Sequence, residues 1–397
     1  MRRMLWGAGL AAALTLAAVP AHAAPAEAAR AGTRTGGVDR ISTGADGAQL
    51  AMASRDGNVS ADGRYAAFGT LGPGEGCPAT FSTCLYVKDL RTGALTKLPG
   101  TGVYAGGAII SADGRRVAFD TGNRFMKPYV HDRATGVTQP LWPADPPSGM
   151  SYELGHVAAI SADGDHVAYT VGNRNGSSSS PYLYVRDLAT GTDDLITPVP
   201  EGNVVGARLS ADGRRVAYGV HNGDRTAVQV KDRVTGTVRR IDVAPDGTPA
   251  DDVSFVVGFS ADGRRVLFDS WATNLLPGGP APHDEQAYVA DLRTGRIERV
   301  GAPGDVAQAV DGGCRFVVVK EHGALPPEEQ GDLVLVDVRT GRRETVAPSA
   351  ASATAVPGAV TRHGRAVLFT SAAADLVPGD TNGVSDVFER HLDRRLL

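Results

Sequence analysis

The chain has 397 residues, of which 40 are basic and 44 acidic, for a formal charge of −4. A mildly acidic chain without basic clusters lacks the electrostatic footprint of a nucleic-acid binder. Its 50 glycines and 24 prolines favour many turns over long helices.

In chain order, the first element is an export signal. Arg2 and Arg3 precede an apolar run from Met4 to Val19, followed by Ala21-His22-Ala23, the small-x-small pattern of a signal-peptidase site. The expected division is a signal peptide over 1–23, a flexible linker over 24–37 and a folded domain over 38–397. The leader is too short and wrongly flanked for a membrane anchor, and no later stretch is apolar enough to cross a bilayer. The expected product is a secreted, extracytoplasmic monomer.

Beyond the leader, one unit recurs. Ser-Ala-Asp-Gly begins at Ser60, Ser111, Ser161, Ser210 and Ser260, and degenerate versions end at Gly313 and Gly364. These seven markers lie about 50 residues apart, the signature of a repeat architecture. A second marker, Asp followed four residues later by Gly, starts at Asp89, Asp132, Asp187, Asp232, Asp291 and Asp337. Both markers read as tight hairpin turns, because Asp-Gly tolerates the positive φ that such turns need. Short apolar runs flank them, such as Tyr65 to Phe68 and Leu85 to Val87. Each unit is therefore four short antiparallel strands, one blade of an all-β, seven-bladed β-propeller.

A blade cannot bury both faces alone, so the units are expected to close into a ring. The seventh unit runs short of an outer strand. Val38-Asp-Arg-Ile-Ser42 resembles the outer strand Val238-Arg-Arg-Ile-Asp242, so residues 38–42 are expected to pair with the last blade. Tyr86, Tyr129, Tyr184, Tyr288 and Phe388, each three residues before the second turn, are assigned to the core between blades.

The pattern Ser-x-Asp-Gly-Arg-x-Val-Ala-Phe, then Val-x-Asp-x-x-Thr-Gly, resembles the TolB-like, PD40-type branch of the WD40-like propeller repeats over roughly residues 38–397. The stretch Asp375-Leu-Val-Pro-Gly-Asp-Thr-Asn-Gly-Val-Ser-Asp386 resembles a loop of secreted bacterial members of that group, common in actinobacteria. The resemblance implies the fold and leaves the ligand open.

In such a ring both marker turns share one short, uniform face. The other face carries connections of variable length (70–84, 141–155, 171–181, 269–286, 321–331, 371–385), where binding is usually placed. Within 141–155, Trp142, Met150 and Tyr152 are amphipathic types favoured at contact hot spots, with Glu153 and His156 beside them. The alternative is that Trp142 covers the gap between two blades. The partner expected is an extracellular or envelope protein, peptide or glycan.

Asp380, Asn382 and Asp386 offer oxygens that suit Ca²⁺, against a plain Asx-capped turn; no other cofactor is expected. Cys77 and Cys84 would form a local disulfide in an oxidising compartment, or stay free thiols, and Cys314 reads as buried filler. Gly-x-Ser-x-Gly, His-Glu-x-x-His and Walker patterns are absent. Asp56, Asp251, Asp252 and Asp305, with Glu153 and His156, are placed near the channel mouth. They keep a polysaccharide hydrolase or lyase as the alternative to a non-catalytic binding scaffold.

Overall fold

A computed structural model describes residues 37–78, 82–122, 125–144, 154–172, 182–197, 202–223, 225–278, 284–321 and 331–392. Six sheets of four antiparallel strands follow one another along the chain, blades I to VI, each ordered a-b-c-d from the inside outward. Blade I consists of Ser54–Val59, Tyr65–Leu71, Thr83–Asp89 and Leu95–Lys97. The inner strands of blades II to VI are Tyr104–Ile110, Leu154–Ile160, Asn203–Leu209, Ser254–Phe259 and Val306–Val310. Strands b and c are the most deeply buried, because both of their faces meet a neighbouring blade.

The seventh blade is the closure. Val38–Arg40 pairs with Asp386–His391, which pairs in turn with Ala366–Ser371, in the register Val38↔Arg390, Asp39↔Glu389 and Arg40↔Phe388. The Ile41 N–H extends the pairing to the Val387 carbonyl at 2.8 Å. The expected N-terminal outer strand is therefore observed. The inner strand of this blade is reduced to the single bridges Thr354↔Thr370 and Val360↔Val367. The likeness of segments 38–42 and 238–242 extends further, since the connections after them form matching bridges, Thr43↔Gln49 and Val243↔Pro249.

The repeated motifs are joints as well as turns. In Ser60-Ala-Asp-Gly63, the Ser60 hydroxyl donates to Asp62 at 2.6 Å and accepts from the Tyr65 N–H at 2.9 Å. The motif backbones then join blade to blade around one rim: Ala61 N–H to Ala112 O, Ala112 to Ala162, Asp163 to Ala211, Ala261 to Gly312, and Arg362 to Ala61. The arginine after the motif pairs with the Asp of the second turn in the same blade. Arg64–Asp89, Arg115–Asp132, Arg214–Asp232 and Arg315–Asp337 lie at 2.8–2.9 Å.

Blade VI corrects one expectation. The residue in the marker position is Cys314 (φ +47°), not Gly313; its N–H donates to Asp311 O as the Gly63 N–H does to Ser60 O. Asp311 takes the serine's part by accepting from Arg315 N and Phe316 N, both at 2.9 Å. Cys314 is fully buried and unbridged, and burial pushes its thiol pKa up.

Hydrogen bonds from Arg214 and Arg315 hold Asp232 and Asp337 at about 2, below the usual 3.8. A carboxylate depressed on folding stabilises the fold above its unfolded pKa and loses that contribution as pH falls towards the folded value. An Arg214→Gln/Arg315→Gln protein is therefore expected to melt lower than the parent at pH 6. The gap should shrink between about pH 4 and pH 2. A gap that stays constant across that range contradicts the assignment.

The core repeats as well. Strand b and strand c place aromatic partners directly opposite each other in five blades: Phe68/Tyr86, Phe119/Tyr129, Tyr169/Tyr184, Phe268/Tyr288 and Phe369/Phe388, with ring centroids 5.6–6.1 Å apart. All five expected core aromatics fall in these stacked pairs. Cys77 and Cys84 are disulfide-bonded with Cα atoms 5.9 Å apart, the bridged of the two alternatives.

Candidate functional site

The a–b and c–d turns carry the ion pairs and the rim of joined backbones, so that face is occupied by its own structure. The opposite face holds the exposed aromatic surface. Tyr104, at the start of the inner strand of blade II, is 53% exposed, and its neighbour Val103 is 52% exposed. In blade V, Trp271 (37% exposed) follows strand b and meets Phe255 of the inner strand edge-on, with centroids 6.4 Å apart.

His156 stands at the same mouth, on the inner strand of blade III. Its Nδ1 lies 3.3 Å from Asp120 Oδ2, and its side chain is half exposed. Asp120 belongs to strand b of blade II, Arg116–Gly122, in the middle of an apolar run. Its other oxygen accepts the Val157 N–H at 2.6 Å. The cause is a bulge: all six regular inner strands shift register near their midpoint, here between Val157 and Ala159. A bulge leaves a backbone N–H unpaired within the blade. Asp269 does the same for blade VI, accepting the Ala307 N–H at 2.9 Å. Burial pushes the carboxyls of Asp120 and Asp269 up, while the bond to Asp120 raises the pKa of His156.

The expected site residues are not gathered in one place. Trp142 packs against the apolar cluster between blades II and III, its carbonyl accepts from Arg186 at 2.8 Å, and Lys127 lies 5.6 Å over its ring. Met150, Tyr152 and Glu153 fall outside the described residues. Asp56 (φ +60°) lies 3.5 Å from Arg55, and Asp251 accepts from Thr273 in the neighbouring loop. Asp252 accepts from Val253 N, and buried Asp305 pairs with Arg343 at 2.7 Å. The acid that does meet His156 is Asp120, which sequence reasoning missed. Its signal was a lone carboxylate inside a strand-b apolar run.

Asp380, Asn382 and Asp386 come together, but around the closing segment. Asp386 accepts from Ser42 at 2.5 Å and Gln49 at 2.8 Å, and Asp380 accepts from Gln49 at 2.8 Å. Arg40 lies 3.4 Å from Asp380 and 3.7 Å from Asp386. Asn382 accepts from Val384 N at 3.1 Å, an Asx turn, and donates to Leu50 O at 2.9 Å. The Arg40 guanidinium and the Gln49 amide thus engage both carboxylates. Among the described residues no group of three or more His, Cys, Asp or Glu could hold a metal ion, and no helix is long and apolar enough to cross a membrane.

No family model and no curated protein matches the chain. Among solved structures, an oligogalacturonate lyase in complex with manganese is similar at 16% identity, over 90% of this chain and 94% of that one, with a TM-score of 0.62. An oligogalacturonate lyase from Vibrio parahaemolyticus gives the same identity, coverage and TM-score. A putative TolB from Agrobacterium tumefaciens matches at 19% identity over 63% of this chain and 81% of that one, with a TM-score of 0.42. At such identity the likeness to the lyases is one of fold, and the fold of this chain is a seven-bladed β-propeller closed by its N-terminal strand.

Proposed function

We propose that this chain is an exported, non-catalytic binding scaffold that holds an extracellular or envelope protein, peptide or glycan on its loop-rich face. The observation that carries the reading is the exposed aromatic surface there, Tyr104 in blade II and the Phe255–Trp271 pair in blade V. Large amphipathic rings on a rigid frame offer contact area at little entropic cost. The leader over 1–23 and the Cys77–Cys84 bridge support an oxidising destination outside the cytoplasm.

The test uses the mature protein as bait in culture fluid and envelope extract, beside a Tyr104→Ala/Trp271→Ala variant. A partner held by the parent and lost by the variant is the expected result. A partner retained equally by both removes these aromatics from the interface. N-terminal sequencing of exported protein should begin at Ala24; an intact Met1 contradicts export by cleavage.

A second reading, a hydrolase or lyase acting on polysaccharide, has the Asp120–His156 pair in its favour, because a carboxylate that orients an imidazole suits acid–base work. The manganese of the similar lyase has no matching donor set among the described residues. Release of unsaturated or reducing ends from polygalacturonate, lost in His156→Ala, would favour this reading over the first.

A further inference from the structure

Arg208 sits in the inner strand of blade IV, two residues before the marker Ser210. At that repeat position blades III, V, VI and VII carry Ala159, Gly258, Ala309 and Ala359. The guanidinium reaches sideways along the channel wall. Nε donates to Val257 O of blade V at 2.8 Å, and Nη1 donates to Ala207 O at 2.7 Å and Ala158 O of blade III at 3.2 Å. Nη2 makes no hydrogen bond to a described residue and is not among the covered, unpartnered polar atoms, so it keeps access to solvent.

No carboxylate of the described residues pairs with this cation. Burial alone moves its pKa, down to about 10. Arg40, Arg186 and Arg343, by contrast, face carboxylates: Asp380 and Asp386 for Arg40, Asp193 for Arg186 and Asp305 for Arg343. A cation partly withdrawn from water without a counter-charge is incompletely compensated, and three carbonyl dipoles offset only part of that cost. Two repeat positions earlier on the inner strands of blades II and IV, Gly107 and Gly206 are exposed, and a Cβ on Gly107 would meet nothing within 4 Å. His156, whose proton affinity Asp120 raises, lies two residues from Ala158 on the strand that Arg208 touches.

We propose that Arg208 is the seat of a small oxyanion, a carboxylate or phosphate group, that enters the channel and accepts hydrogen bonds from Nη2. A planar guanidinium with a free amino edge matches such oxygens better than it matches a halide. The site lies in the channel wall, apart from the aromatic rim, and does not depend on what that rim binds.

The test is a titration of the full mature protein with sodium acetate and, separately, inorganic phosphate, with chloride added to keep ionic strength constant. Binding is read by calorimetry and by the melting midpoint. One equivalent of oxyanion should bind and raise the midpoint of the parent. Arg208→Gln should lose both effects, and Arg208→Lys should bind about 10-fold more weakly, because it keeps the charge without the fork. Val234→Ala, in an exposed turn of the opposite face, should bind as the parent does. Acetate alone or phosphate alone acting identifies the group the seat prefers. Three results overturn the proposal: no oxyanion binding by the parent, the same midpoint rise with chloride alone, or unchanged binding in Arg208→Lys. The lysine variant keeps the test decisive if Arg208→Gln does not fold.

Discussion

Asp386→Ala is expected to open the ring at its seam and lower the melting midpoint by about 4–7 °C, from a loss of about 3–5 kcal/mol. Asp386 is completely buried and joins two ends of the chain. It accepts hydrogen bonds from Ser42, Gln49 and Asn382 and faces Arg40, whose side chain is only 10% exposed. Removing the carboxylate leaves Ser42 without its acceptor, takes one of two acceptors from Gln49 and Asn382, and leaves Arg40 with Asp380 alone; breaking one partner of a buried network costs more than the pair contributes. The matched control is Asp246→Ala. Asp246 is the exposed turn residue of the related connection after blade IV and accepts from Thr248 N. Thermal melting of both variants checks the argument; equal midpoints would show that closure does not depend on this network.

Phe268→Ala should cost a similar amount, about 3–5 kcal/mol, by a different route. Phe268 is fully buried in strand b of blade V and stacks on Tyr288 with centroids 5.6 Å apart, within the cluster that blade V shares with Ala217, Val228 and Val230 of blade IV. Truncation leaves a cavity between two sheets that cannot collapse without breaking strand pairing. Phe255→Ala, at the partly exposed mouth of the same blade, should cost much less while weakening ligand capture. Chemical denaturation gives both numbers. A Phe268→Ala loss no larger than that of Phe255→Ala would mean the repeated aromatic pairs are not the stabilising unit.

Ring closure and the second candidate site turned out to be one object. Read along the chain, Asp380, Asn382 and Asp386 are closely spaced oxygen ligands with a metal-binding look. Their partners Arg40, Ser42 and Gln49 lie more than 300 residues away in sequence and arrive only because the N-terminal strand completes blade VII. The same holds at the mouth, where Asp120 meets His156 across a blade boundary.

What the amino-acid sequence determined alone is what repeats. Turn chemistry, apolar strand runs and the missing outer strand of the last unit are local properties copied every 50 residues or so, and copies reveal a pattern that a single instance hides. The blade count, the closing strand and the core position of the strand-c aromatics were all readable on that basis. The tertiary structure decided what departs from the repeat: Cys314 in a glycine's place, the inner-strand bulges that Asp120 and Asp269 satisfy, and Arg208 bridging carbonyls of blades III and V. Asp120, Asp269 and Arg208 are single charged residues on inner or b strands, and their roles depend on the neighbouring blade. Blade packing, set by the whole ring, chooses that neighbour, and no spacing within one unit encodes it.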